Sequence, residues 1–335
     1  MKKIIPILLA ATLLLCLCSC EEKNDASATK KESETVGTVA DYEVRRDLYN
    51  YFYENYADQY GTSGEEYEGA TDEEKSQLEK KLQESTESSL KQFFAVYALA
   101  AENGLSPDDE EVKNSVDDYV STLINTEYEG LKASLIKDVK EQHMTYEAFL
   151  KIIEATQLQS KLYLKLISDG KIEQDTEVLT EKFLSGEMVR TKHILVGYPD
   201  TVSYRDIISD YSKAKANIAE TVEKIKGELD AGADFDSLIE KYNTDALMMQ
   251  NGDGSYFTKG NKDLEYEEAA FALGVGEVSD VVYTREGACF IKRLPLSEDY
   301  IDKNLFTLID AYGEGVFNIM LEEKAATLTF EQTVK

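Results

Sequence analysis

Cysteine is scarce after the first twenty residues: Cys16, Cys18 and Cys20 lie at the start and Cys289 stands alone beyond them. If Cys16 and Cys18 leave with a cleaved leader and Cys20 is taken up by a modification, Cys289 has no partner for an intramolecular disulfide, and stability must come from an apolar core. Histidine occurs twice, as His143 and His193. With no paired cysteines nearby this gives no metal-ligand spacing, so neither a metal nor any other cofactor is implied. Positive charge is also short, 36 Lys and Arg against 65 Asp and Glu for a net charge of -29, which argues against nucleic acid or a bare anionic membrane as partner. A long apolar run occurs once, from Ile4 to Leu17, and the polar Glu21-Glu22-Lys23-Asn24-Asp25 ends it too soon for a spanning helix of ~20 apolar residues. Gly252-Asp253-Gly254 lacks the strand, lysine and helix of a phosphate-binding loop and reads as a turn.

What the first residues do contain is an address. Lys2 and Lys3 precede the apolar run, and Leu17-Cys18-Ser19-Cys20 follows it with small residues before a cysteine, the three-part layout of a signal peptide over 1–19. The order resembles the lipobox of bacterial lipoproteins, which implies a lipid on Cys20, an extracytoplasmic location and a membrane reached through two acyl chains. A plain signal peptide with incidental cysteines is the alternative. Residues 20–34 hold no apolar side chain larger than alanine once past Cys20 and read as a flexible tether.

From 35 to 187 the pattern is helical. A short strand at Thr35 to Val39 is followed by helical spacing from Val44 through Leu48, Tyr49, Phe52, Tyr53 and Tyr56. Leu78, Leu82, Leu90, Phe93, Phe94 and Tyr97 mark a second helix ending near Gly104, and Ser106-Pro107-Asp108-Asp109-Glu110 reads as cap, first-turn proline and acidic first turn of a third. Further helices are expected over Tyr128 to His143, Tyr146 to Ser168 and Thr176 to Leu184. Seven tyrosines, 42, 49, 51, 53, 56, 60 and 67, crowd the first helical stretch and its loop. They suit a surface for unfolded polypeptide, or, more simply, Tyr49, Tyr53 and Tyr56 line the core and the others its rim. His143, beside Glu141 and Gln142, reads as a solvent-facing residue at a helix end.

At Met188 the period changes. Val189 to Val196 alternates polar and apolar residues as a strand does, and a helix is expected from Tyr211 to Ala231. Gly232-Ala233-Asp234-Phe235 leads into another helix, a glycine-punctuated stretch spans Asn251 to Gly260, a third helix covers about Tyr266 to Leu273, and Val281–Thr284 and Ala288–Lys292 pair across a turn. This order predicts an α+β domain with a small, mostly antiparallel sheet. His-Ile-Leu-Val at 193–196, Gly-Ala-Asp-Phe at 232–235, Gly252-Asp253 with Phe257 and Gly260, Glu268 to Leu273, Gly276-Glu277-Val278-Ser279 and the closing hairpin together resemble a parvulin-type peptidyl-prolyl isomerase domain over 188–295. The whole layout resembles the PrsA-type foldase lipoproteins and, more distantly, the SurA chaperones. That resemblance implies an α+β multidomain fold: an all-helical N-terminal chaperone module, an inserted parvulin-like domain, and a tail over 296–335 folding back to complete the module, with β-like 327–334 pairing to Thr35–Val39.

The resemblance also assigns residues. A pair of histidines and a threonine in the family's hydrogen-bonded network fall on His193, Cys289 and Thr284, the aspartate near the peptide carbonyl on Asp245, the pocket aromatics on Phe257 and Tyr266, and the aliphatic and methionine pocket positions on Gly254 and Lys262. Three of these depart from the family pattern. Cys289 is a weaker hydrogen-bonding partner than imidazole, and Gly254 and Lys262 imply a shallower, wetter pocket with low isomerase activity. Cys289 by itself reads as a small buried apolar residue or, alternatively, a reactive thiol. The implied partners are unfolded, newly secreted polypeptides with Xaa-Pro bonds; a homodimer stays open. Two functions remain, a foldase that accelerates prolyl isomerisation and a binding-only chaperone with a degenerate parvulin domain. A solute-binding lipoprotein is disfavoured because no two-lobed α/β pattern is present.

Overall fold

The computed structural model describes residues 34–62, 65–209 and 211–333. Cys20, the signal segment and the tether up to residue 33 lie outside the described residues. Among those described, no helix is long and apolar enough to cross a membrane. The chain divides into two compact units, one running to Asp169 and resuming at Leu321, the other spanning Gly170–Met320. The protein is an α+β multidomain chain.

The first unit is mostly helical and carries a three-stranded sheet. Strand β1 (Thr35–Val39) lies between β2 (Tyr42–Arg45) and β7 (Phe330–Gln332), antiparallel to both. The helical spacing predicted from Val44 begins two residues later than expected, at α1 (Arg46–Gln59). Ala40, in the left-handed region at φ 49°, turns the chain back so that Val44 is buried as a strand residue. The pairing of the chain's end with β1 is set by Gly37, where a Cβ would lie 2.5 Å from the Phe330 ring. Helix α2 is one turn, Glu65–Glu68. Helix α3 (Asp72–Glu102) starts on a Thr71–Glu74 capping box and buries Leu78, Leu82, Leu90, Phe93, Phe94 and Tyr97. Against it pack α1, through Leu48, Tyr51 and Phe52, and α6 (Tyr146–Ser168), through Phe149, Ile152, Ile153, Leu158, Leu162 and Leu166. Gly104 ends α3 at φ 74°.

Two local readings shift. Asp109, not Ser106, stands at the start of α4 (Glu110–Glu127); the Ser106 N–H donates to the Asp109 carboxylate at 2.8 Å, making 106–109 a turn of its own. The expected helix from Tyr128 shortens to α5 (Lys132–Lys140), since Glu129 and Gly130 both take positive φ. Of the seven tyrosines of the first stretch and its loop, Tyr51 and Tyr60 are buried, whereas Tyr49, Tyr53 and Tyr56 are half-buried. Two of the latter bind α3, Tyr53 to Glu79 at 3.1 Å and Tyr56 to Ser89 at 2.9 Å. They form a seam between helices rather than a free surface.

The second unit carries a four-stranded antiparallel sheet in the order β4-β3-β6-β5, from β3 (Met188–Gly197), β4 (Ser255–Thr258), β5 (Val282–Thr284) and β6 (Gly287–Leu294). Strand β4 falls in the stretch that glycines made look like loop. Strand alternation gives the sheet two faces. Ile194, Val196, Ala288 and Phe290 face α9 (Tyr211–Asp230) and α10 (Phe235–Tyr242), meeting Ile218, Val222, Ile225, Phe235 and Leu238. Val189, Cys289 and Ile291 face Phe257 and α12 (Leu264–Ala272), where Tyr266 and Ala270 complete the cluster. A short α8 (Tyr204–Ser209) precedes α9, and α11 (Ala246–Gln250) follows α10.

This unit is wider than the expected 188–295 at both ends. Helix α7 (Thr176–Lys182) runs into a π-type turn, Phe183–Glu187, and α13 (Glu298–Ala326) follows the sheet. Leu179, Phe183, Met188, Ile301, Leu308 and Ile309 make one buried cluster, and Tyr300 stacks on Tyr256 of β4 with ring centres 3.9 Å apart. Residues 298–320 therefore pack with the sheet rather than with the helical module, and the chain rejoins the first unit from Leu321 onward.

Candidate active site

Strand β4 pairs with β3 as far as Thr191, leaving the next part of that edge open. The segment after α10 fills it. Asn243 Oδ1 accepts from the Leu195 N–H at 2.8 Å and the Thr244 N–H donates to the Leu195 carbonyl at 2.8 Å, satisfying backbone groups an edge strand would otherwise expose. This docking delivers Asp245, the next residue, to the face that carries His193. Asp245 also caps α11: its Oδ1 accepts from the Leu247 N–H at 2.8 Å while its Oδ2 lies 3.0 Å from His193 Nε2.

His193 lies two residues from Thr191 on the same strand, so both side chains fall on one face. Above them the first turn of α12 sets Tyr266, whose hydroxyl is 3.1 Å from His193 Nδ1 and 2.9 Å from Thr191 Oγ1. The His193 and Tyr266 rings are nearly perpendicular, with centres 5.6 Å apart. Burial pushes His193 below the ordinary histidine range; Asp245 opposes this and Lys262 adds to it. Burial also pushes the Tyr266 hydroxyl well above its ordinary value, so it remains a donor.

Of the residues anticipated from sequence, His193, Asp245 and Tyr266 are thus brought together. Phe257 lies beside Tyr266 with ring centres 5.8 Å apart, and both rings are almost wholly buried. Cys289 belongs to the same cluster, where burial pushes its thiol up to about 12 with Glu286, Asp245 and Asp263 contributing. Buried and without a disulfide partner among the described residues, it packs as a small core residue. Lys262 is exposed, its ammonium 5.9 Å from the Phe257 ring centre.

Two anticipated residues serve elsewhere. The Thr284 hydroxyl accepts from the Glu286 N–H at 3.2 Å and faces the Gly287 carbonyl at 3.4 Å, organising the β5–β6 turn rather than binding His193. Gly254, at φ 86°, presses on β3, and a Cβ there would lie 2.6 Å from the Thr191 carbonyl oxygen. It is a backbone contact and offers no pocket wall. A shallow groove of about 680 Å³ lies away from this constellation, lined by Thr176, Glu177, Thr180, Glu181, Leu184, Ser185 and Leu305.

Thr191, the Tyr266 hydroxyl and the docking pair Asn243–Thr244 were not anticipated. The period-two spacing of Thr191 and His193 was the available signal for the first. The carboxylate of Glu267 was missed as well. It is buried and accepts from the N–H groups of Gly260, Asn261 and Lys262 at 2.9, 2.7 and 2.7 Å, fixing the loop that carries Lys262.

Residues 177–294 match the PPIC-type PPIASE domain, and residues 45–153 match the bacterial trigger factor protein C-terminus. A peptidyl-prolyl cis-trans isomerase Pin1 of Malus domestica is 32% identical over 117 residues, 32% of this chain and 95% of that protein. The chain belongs to the PPIC-type peptidyl-prolyl isomerase family. This PPIC-type chain is also 30% identical over 195 residues to the foldase protein PrsA of Bacillus subtilis (strain 168), 58% of this chain and 55% of that protein. It spans about half the length of the curated foldases it matches. The crystal structure of PrsA from Bacillus subtilis aligns with 75% of this PPIC-type chain and 86% of its own at 23% identity and a TM-score of 0.27.

Proposed function

We propose that this protein is an extracytoplasmic foldase, held to the membrane by lipid on Cys20, that assists newly secreted polypeptides by prolyl cis-trans isomerisation and by binding them while unfolded. The observation that carries the reading is the constellation of His193, Asp245 and Tyr266 on one face of a PPIC-type sheet. Isomerisation requires no nucleophile, since the barrier is rotation about a partly double C–N bond, about 20 kcal/mol. A site that binds the twisted amide better than the planar one lowers that barrier. In this reading Asp245 sits by the peptide carbonyl, His193 orients Asp245, and the rings of Phe257 and Tyr266 form the floor beneath proline. The family relation to foldases and the leader ending at Cys20 support the placement outside the cytoplasm.

Binding without catalysis is a second reading. It is favoured by the burial of Phe257 and Tyr266, which presents little open aromatic wall, and by Cys289 standing where the family has a second histidine. One comparison separates the two. A soluble form lacking the leader and Cys20, residues 21–335, is expected to accelerate Xaa-Pro isomerisation in a peptide and prolyl-limited refolding of a denatured client, and His193→Ala to reduce both by at least about tenfold, the factor expected for one lost hydrogen bond to a charged group. Equal rates with and without the protein would leave only the binding reading, in which His193→Ala still suppresses client aggregation.

A further inference from the structure

Tyr266 occupies a position whose family role is to present an aromatic ring, yet here it brings a hydroxyl to the centre of the polar network. We propose that the Tyr266 hydroxyl, supported by Thr191, is a positioning group that replaces the second histidine and, with Asp245, holds His193 in one tautomer. The inference rests on the catalytic reading for its consequence in rate, and on geometry alone for the tautomer.

The argument follows the donors. A carboxylate only accepts hydrogen bonds, so the 3.0 Å contact between Asp245 Oδ2 and His193 Nε2 places the imidazole proton on Nε2. Nδ1 is then a bare acceptor. Among the described residues the hydroxyl set against it, at 3.1 Å, is that of Tyr266, which must donate. Having given its proton to Nδ1, the Tyr266 oxygen accepts from Thr191 Oγ1, fully buried and 2.9 Å away. The result is a directed chain from Thr191 through Tyr266 and His193 to Asp245. Asp245 is held at both oxygens, since its Oδ1 already takes the Leu247 N–H.

The alternatives at this site are weaker. Cys289, in the histidine position of the family, offers only a thiol, a poor hydrogen-bonding group kept protonated by its burial. A phenylalanine at 266 would leave Nδ1 without this donor. A buried tyrosine hydroxyl without partners would itself be costly, so its two short contacts are what make tyrosine tolerable under 8% exposure. His193 is therefore fixed by three side chains from three elements, β3, α12 and the segment leading to α11.

Nitrogen NMR of the labelled soluble form, residues 21–335, tests this, with His143→Gln making His193 the single histidine. At pH 7.5 the spectrum is expected to show a protonated Nε2 and a hydrogen-bonded, unprotonated Nδ1. Tyr266→Phe should move the Nδ1 resonance toward its free value and lower kcat for Xaa-Pro isomerisation about tenfold, the factor expected for one lost hydrogen bond, with KM little changed. Thr191→Val should shift Nδ1 in the same direction by less. A proton on Nδ1 in the unmutated network, or nitrogen shifts unaltered by Tyr266→Phe, would overturn the proposal. Should the unmutated protein show no isomerisation, the catalytic reading fails, while the nitrogen spectra still decide the tautomer.

Discussion

His193 shows how far a single position could be read from sequence. Its strand and its place in the family order were legible, but its partners were not. Thr284, the threonine matched to the family network, went to a turn, and Thr191 took the polar role because alternation along β3 carries it to the same face. The burial that brings these groups together also makes His193 sensitive to pH. Its folded-state pKa is depressed, mainly by desolvation, so below its ordinary value of about 6.5 the unfolded chain binds more protons than the folded one. Stability of the second unit is present above that pH and is lost as pH falls toward the folded value. Denaturant melts at pH 7.5 and 5.5 should show the loss, and His193→Gln should show less of it. Equal losses in both proteins would mean that His193 does not titrate in this way.

At the scale of elements, the helices with long apolar periodicity were the most legible, and α6 has the ends its sequence announced, Tyr146 and Ser168. Strand β4 was concealed because four residues among glycines carry too little pattern, and its pairing to β3 is a tertiary event. The contact between the loop after β4 and α13 was equally hidden. Gly315 lies in the middle of α13, where glycine ordinarily weakens a helix by about 1 kcal/mol relative to alanine. A Cβ there would come within 2.4 Å of the Lys259 carbonyl oxygen, and Asn318 donates to the Gly260 carbonyl at 3.1 Å while Asn261 donates to that of Ala311 at 2.8 Å. Helix propensity and packing therefore predict opposite signs for Gly315→Ala. Packing should dominate, with a loss of about 1–3 kcal/mol, as in other overpacked contacts. Thermal unfolding decides the matter, since a gain in stability would show that the loop yields freely. Because this loop carries Lys262 beside Phe257, the same variant should also lower isomerase activity.

For the whole molecule, the tail is divided between two tasks. Residues up to Met320 pack with the sheet, and from Leu321 the chain supplies the last turns of α13 and strand β7 to the first unit, with Lys324 paired to Glu102 at 2.6 Å and Phe330 lying over Gly37. A chain ending at Met320 should thus lose stability in the first unit and keep it in the second, whereas one ending at Pro295 should lose it in both, because Ile301, Leu308 and Ile309 leave their cluster. Amide hydrogen exchange resolved by segment would read each unit separately; unchanged protection of residues 188–294 after truncation at Pro295 would count against the division. The return of the chain's end to β1 followed only from the family resemblance; the sequence by itself determined the α+β class, the long helices and the family order from His193 to the closing hairpin. These depend on local periodicity and on residue types at fixed spacing. Only the tertiary structure decided where the second unit stops and which hydroxyls reach His193. Both depend on which faces meet across loops, and a helix period or strand alternation shows that a face is apolar without showing what will cover it.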